Sequence, residues 1–253
     1  MKLVASLAAL FLAALPLAGA AAEDSGSVAV GLSRGASLTV TNINGSVSVE
    51  GGSTFSVRYR KHGTTSLAAV RVIGEQHDGE TRICVRYPGD DRSGCGHDFD
   101  SHSDSDVSVE LAIVVPPHTR VDAGSVNGSV SVHTEGMVTA QTVNGRVDVD
   151  AAGADQLRTV NGAIVANLHD PRTTRSLHAE SVNGSVTIRL PEARARVSAT
   201  VLNGDIHAFG MNVNRPEFGP GATVDGEVGS GGPSLVLKTL NGSIRVERIV
   251  DQT

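Results

Sequence analysis

The sequence predicts an all-β protein built as a parallel β-helix or β-solenoid-like stack of Asn-Gly-cornered units, with an antiparallel β meander as the alternative. Two observations carry this expectation. An apolar-Asn-Gly tripeptide returns seven times, at Ile43-Asn44-Gly45, Val126-Asn127-Gly128, Val143-Asn144-Gly145, Val160-Asn161-Gly162, Val182-Asn183-Gly184, Leu202-Asn203-Gly204 and Leu240-Asn241-Gly242. A weaker copy, Val224-Asp225-Gly226-Glu227, fills the longest gap of the second half. A repeat of about 20 residues is one supersecondary unit, too short to bury a core alone and stable only when stacked. The second observation is a period-two alternation on both sides of every corner, the signature of strands with one buried face.

Residues 1–22 read as a secretory signal peptide rather than part of the fold. Lys2 gives the positive start, Leu3 to Leu17 the apolar stretch, and Ala20-Ala21-Ala22 the small-residue cleavage site. No later run is apolar enough to span a bilayer. Residues 23–253 then form one domain, with 53–120 as an inserted antiparallel section and 121–250 as the repeat stack. The formal net charge of −6 gives no general attraction for nucleic acid or anionic lipid. Aromatic residues make up only 3% and tryptophan is absent, so the core is expected to be narrow, with aliphatic side chains stacked on their like.

With each corner asparagine numbered 0, four rows are aliphatic. Row −6 holds Leu38, Val121, Val138, Leu177, Val197 and Leu235, and row −4 holds Val40, Ala123, Ala140, Leu157, Ala179, Ala199 and Leu237. Row +3 holds Val47, Val130, Val147, Ile164, Val186, Ile206 and Ile244, and row +5 is mostly Val or Ile again. Asn and Gly tolerate positive φ, so the pair marks a tight corner. Row −1 is apolar in every copy, which a solenoid corner explains by turning that side chain inward. Hydroxyls at −2 (Ser125, Thr142, Thr159, Ser181, Thr223, Thr239) and Asn at 0 are expected to form internal ladders. In the insert, 55–60, 69–74 and 81–87 read as strands, with His77-Asp78-Gly79 a hairpin turn. Val107 to Val115 resumes a strand. Arg245, Glu247 and Arg248 place charge on the last strand as a guard against edge pairing.

The signal peptide, one Asn-Gly coil, a β-hairpin region and serial Thr-Val-Asn-Gly-x-Val-x-Val units together resemble the bacterial "putative adhesin" β-strand-repeat family over about residues 30–249. The resemblance implies a β-helix-like fold on the cell-envelope side of the membrane. It brings no catalytic residue to carry over.

Chemistry-bearing motifs are few. Asn44, Asn127, Asn183 and Asn241 match the Asn-x-Ser/Thr glycosylation pattern, but corner geometry explains the same Asn in copies without the hydroxyl. Carbohydrate cleavage requires converging carboxylates. Asp148 and Asp150 share one strand face with no partner base recurring beside them, and His62, His118, His133, His169, His178 and His207 are scattered over different units. The expected function is therefore a non-enzymatic, exported envelope protein that presents a flat polar face to an envelope glycan, peptidoglycan or an envelope protein, with a carbohydrate-active enzyme as the alternative. Cys84 and Cys95, in an oxidising compartment, are expected to form a disulfide worth about 3 kcal/mol in the chain-entropy model.

The loop between them and beyond is acidic. Asp98, Asp100, His102, Asp104 and Asp106 bring carboxylates and imidazole close enough to hold a divalent cation, Ca²⁺ through oxygens alone or Zn²⁺ with the histidine. The spacing matches neither an EF-hand nor the calcium β-roll nonapeptide. The other reading is a solvated hairpin tip kept soluble by its charge, with no cofactor. Calorimetric titration of the EDTA-stripped protein with Ca²⁺ and with Zn²⁺ decides, since a site gives saturable heat that disappears in an Asp98→Asn/Asp100→Asn/Asp104→Asn variant. Heat of dilution alone removes the site.

Overall fold

The computed structural model describes residues 22–33, 35–64, 66–90, 94–95, 105–170 and 172–249. Its N-terminal strands are β1 (Ala22–Ser27), β2 (Ser37–Thr41), β3 (Val47–Gly51), β4 (Ser56–Gly63), β5 (Arg71–His77) and β6 (Glu80–Arg86). The middle holds β7 (Ser108–Val115), β8 (Arg120–Asn127), β9 (Val130–Asn144), β10 (Val147–Asn161), β11 (Ile164–Leu168) and β12 (Ser176–Asn183). The last six are β13 (Val186–Leu190), β14 (Ala195–Asn203), β15 (Ile206–Ala208), β16 (Ala222–Val228), β17 (Ser234–Asn241) and β18 (Ile244–Arg248).

The strands flanking an Asn-Gly corner pair with equivalent strands of neighbouring units, in parallel. Val121 faces Val138, Ala123 faces Ala140 and Asn127 faces Asn144, and the same register continues from β10 to β12 and from β12 to β17. After the corner, Val147 lies between Val130 and Ile164, and Val186 between Ile164 and Ile244. The antiparallel meander would pair β12 with β13 across Asn183-Gly184, whereas β12 pairs with β10 and β17 and β13 with β11 and β18. The molecule is thus two columns of strands, one before and one after the corner, joined at each rung by Asn-Gly. β9 and β10 run on through the opposite corner, with register shifts between Ala151 and Gly153 and between Ala154 and Gln156.

The four aliphatic rows face inward between the columns. Leu38, Val121, Val138, Leu177, Val197 and Leu235 of row −6 are fully buried, as are the members of rows −4, +3 and +5 to within a few per cent. Each buried Val, Leu or Ile contributes roughly 1.5–3 kcal/mol relative to exposure, and like stacks on like from rung to rung.

Backbones meet closely at the corners. A Cβ on Gly128 would lie 2.0 Å from the Gly45 carbonyl oxygen, one on Gly145 2.2 Å from that of Gly128, and one on Gly162 1.8 Å from that of Gly145. Positive φ is not the requirement common to the motif: no corner asparagine adopts it, and Gly128, Gly145, Gly162 and Gly184 do not either, although Gly45, Gly204 and Gly242 do. The glycine is needed because the next rung's carbonyl occupies the space of its side chain. The buried −2 hydroxyls complete the joint. Thr142 donates to Gly128 O (2.8 Å), Thr159 to Gly145 O (2.9 Å), Ser181 to Gly162 O (3.0 Å) and Thr239 to Gly184 O (2.8 Å). In the first unit Asn42 takes the hydroxyl's place and reaches Val109 O at 2.8 Å. The Tyr87 hydroxyl, its pKa pushed up to about 12 by burial, donates to Asn44 O.

Rung order departs from sequence order at both ends. β2 and β3 lie between β6 and β7 on one side and β8 and β9 on the other. β17 and β18 lie between β12–β13 and β14–β15. Two expectations are corrected here. The unit centred on Asp225 is no rung: it sits within β16, which covers β14 antiparallel. The charged strand β18 is interior to its column, and Glu247 pairs with Arg189 instead of guarding an edge. The section 53–120 is antiparallel in β4 and β5–β6, but β6 and β7 also add a parallel rung to the stack.

Gly162→Ala is expected to lower stability by about 3 kcal/mol, because backbone rather than a flexible side chain must move. Gly31→Ala, where the nearest atom is 4.0 Å away, should stay within about 0.5 kcal/mol; urea denaturation midpoints compare the two. Truncation after Gly232 removes β17 and β18 and leaves β12 and β14, and β13 and β15, without their shared neighbours. Limited proteolysis should then cut between residues 190 and 230, where the full chain resists.

Candidate functional site

Strict alternation places rows −1, −3 and −5 on one outer face and rows +2, +4 and +6 on the other. Row −1 therefore faces out, contrary to expectation. Val143, Val160, Leu202 and Leu240 are 37%, 39%, 42% and 43% exposed, Val126 and Val182 are half-buried, and only Ile43 is buried. The alternation inherited from −6, −4 and −2 outweighs the gain from turning one side chain into a core already filled by hydroxyls. The corner asparagines do form a ladder, but it too lies on the surface rather than inside. Asn203 Nδ2 donates to Asn241, Asn241 to Asn183, Asn183 to Asn161, Asn161 to Asn144, Asn144 to Asn127 and Asn127 to Asn44, each at 2.8–2.9 Å. Asn44 Nδ2 ends the chain on Ser105 O at 3.3 Å. All seven amides point one way, so each bond polarises the next.

The face after the corner is polar. Its +6 row reads, in spatial order, Glu50, His133, Asp150, Asn167, Arg189 and Glu247. Glu50 Oε1 lies 3.2 Å from His133 Nδ1. Asn167 Nδ2 donates to Asp150 Oδ2 at 3.1 Å, and Arg189 donates to Asn167 Oδ1 at 3.3 Å and to Glu247 Oε1 at 2.7 Å. One residue pair inward, Arg146 Nε donates to Asp148 Oδ2 at 2.9 Å. Each carboxylate, imidazole, amide and guanidinium of the row is thus held flat by its neighbours and still has donors or acceptors turned to solvent.

Next to this row opens a cleft of about 970 Å³ whose wall includes Glu50, His133, Asp150, His169 and Asp170. His169 Nε2 lies 2.7 Å from Asp150 Oδ1, and His133 Nε2 lies 3.7 Å from Asp148 Oδ1. Histidines do stand beside both aspartates, which corrects the expectation that none would. The Asp170 carboxyl sits below the usual carboxylate range, first through the Thr173 hydroxyl and then through the Arg172 N–H, so it remains an acceptor at the rim. Reading the +6 positions in register would have found most of this cluster. His169 lies beyond the repeat, on the turn after β11, and no periodicity marks it.

Cys84 and Cys95 are joined by a disulfide, with Cα atoms 5.6 Å apart. Asp98, Asp100, His102 and Asp104 lie outside the described residues. Asp106 is described, and its carboxylate accepts from the backbone N–H (2.7 Å) and the hydroxyl of Thr64. No helix among the described residues is long and apolar enough to cross a membrane.

No protein-family model matches the chain, and no curated protein matches it. Among solved structures, it is similar to one described as a putative cell adhesion protein from Clostridium sporogenes ATCC 15579, with 11% identity and a TM-score of 0.46 over 91% of this chain and all of the other. It is also similar to one described as a putative adhesin from Bacteroides fragilis NCTC 9343, with 11% identity and a TM-score of 0.32 over 92% of this chain and 98% of the other. Neither likeness assigns a ligand or a residue.

Proposed function

We propose that this chain is an exported, non-enzymatic binding protein of the cell envelope, and that its ligand is a linear glycan laid along the +6 row. The observation that carries the reading is the run Glu50, His133, Asp150, Asn167, Arg189 and Glu247 across six consecutive rungs beside an open cleft. Planar groups with both donors and acceptors are what vicinal hydroxyls require, and the strand scaffold fixes them before binding, which lowers the ordering cost. Six rungs span about 24 Å at roughly 4.8 Å each, a length suited to several sugar units and not to one. The leader-like residues 1–22 and the disulfide Cys84–Cys95 support export to an oxidising compartment.

A hydrolytic reading has one observation in its favour, the Asp150–His169 pair at the cleft with the Asp148–His133 pair on the same face. Against it, Asp148 is bonded to Arg146 and Asp150 to Asn167, so each carboxylate is fixed as a hydrogen-bond acceptor on its own surface, an arrangement that suits holding hydroxyls.

Co-sedimentation with peptidoglycan sacculi and with an insoluble linear polysaccharide tests the proposal. The protein should pellet with one of them, and Arg189→Ala and Asp150→Ala should each weaken binding about tenfold, the loss of one charged hydrogen bond. Release of reducing ends that stops in Asp150→Asn would make the protein an enzyme and end the binding reading.

A further inference from the structure

We infer that the opposite face carries a second, independent site, which takes the hydrocarbon chain of a free single-chain amphiphile with an anionic head. The exposed row −1 ends at the C-terminal rungs under the segment 214–221. There Val182, Leu240 and Leu202 form the floor of a cleft of about 810 Å³, and Pro216 and Pro220 stand in its wall. Phe218, between those prolines, is 88% exposed. A volume of this size lies within the usual range for ligand sites, about 300–1,000 Å³.

The chemistry of the floor selects the occupant. The backbone groups of β12, β17 and β14 are engaged in ladders on both sides, so the floor offers no strand edge to a peptide; β16 in the wall is bridged to Asn214 at Thr223. The nearby hydroxyls of Ser181 and Thr239 are spent on Gly162 O and Gly184 O. Over the side chains of Val182, Leu240 and Leu202 a peptide or sugar would bury polar groups without partners, at a cost of roughly 1–3 kcal/mol each; Thr200, Thr223 and Asn214 also line the cleft. A methylene chain has none to bury and gains about 0.8 kcal/mol per CH₂. A second copy of this chain does not suit the strip either. The ridge is one side chain wide and about 29 Å long at roughly 4.8 Å per rung, far short of the ~800 Å² per partner of a stable interface.

Charge sets the head group. Glu180 at the rim lies 3.9 Å from Arg158, and Arg215 is paired with Asp205 at 2.7 Å. Lys238 lines the same cleft, and no hydrogen bond or ion pair engages it among the described residues. The one uncommitted charge is therefore a cation, which matches a carboxylate or phosphate at the end of the chain.

Calorimetric titration of the full mature chain with dodecanoate, below its micellar range, and with dodecanol tests the site. Saturable binding of dodecanoate at one per chain is expected. Leu240→Gln should weaken both ligands about tenfold. Lys238→Met should weaken dodecanoate and leave dodecanol unchanged. Both positions are exposed, and circular dichroism will show that the variants fold. Four results would overturn the inference: no saturable heat, binding unaffected by Leu240→Gln, equal loss of acid and alcohol in Lys238→Met, or dimerisation abolished by Leu240→Gln. Flotation with anionic phospholipid vesicles that dodecanoate fails to compete would likewise overturn it, by making this face a membrane contact. Glycan co-sedimentation is read on the other face and is unaffected by either outcome.

Discussion

Adjacent rungs touch at their corners through backbone alone, and that contact sets the geometry of everything else. A carbonyl oxygen from one Gly stands about 2 Å from where the next rung's Cβ would be, so the two columns can stack at strand spacing without splaying. From that contact the −2 hydroxyl finds the carbonyl it bonds, the Asn amide finds the amide ahead of it, and the aliphatic rows fall into register. A single larger side chain at a corner would tilt one rung and misalign all three rows at once. The repeat is therefore kept by a steric demand between rungs and not by the turn preference of an isolated dipeptide, which explains why the motif persists where no positive φ is used.

The same contact separates the two outer faces. Inward positions alternate strictly up to −2 and resume at +3, so the corner absorbs the odd step and leaves −1 outside with the asparagines. One face then carries an aliphatic ridge bordered by aligned amides, and the other a planar polar row. They are chemically unlike although each rung contributes to both, and a substitution on one face leaves the other's register intact. This is how a narrow stack with few aromatics can offer two distinct surfaces.

Much of this was legible in the residues. Rows −6, −4, +3 and +5 were readable as interior because four independent alternations agree, and the −2 hydroxyls because a buried polar row needs a repeated acceptor. What was illegible shares one cause: the corners are nearly identical, so nothing local records which rung lies next to which. Leu240-Asn241-Gly242 carries no mark that it belongs between Asn183 and Asn203, and Val224-Asp225-Gly226 reads as a corner although β16 pairs antiparallel. Row −1 is apolar yet exposed, because apolar character does not by itself mark burial: surface apolar residues are common and here form a continuous ridge. The polar +6 row was open to inspection, since Glu50, His133, Asp150, Asn167, Arg189 and Glu247 stand at one offset. His169 had no such offset to betray it.

The out-of-order rungs also bear on time. A ribosome or export channel delivers a chain from its N-terminal end, and a stack whose rungs followed the sequence could zip up as it emerged. Here β14 and β15 leave before β17 and β18, yet they bond to the stack only through them. Everything from β12 to β15 must therefore stay unpaired on one side until the segment from Ser234 onward has arrived. Completion is withheld until delivery is nearly over, so the C-terminal rungs are the last to close.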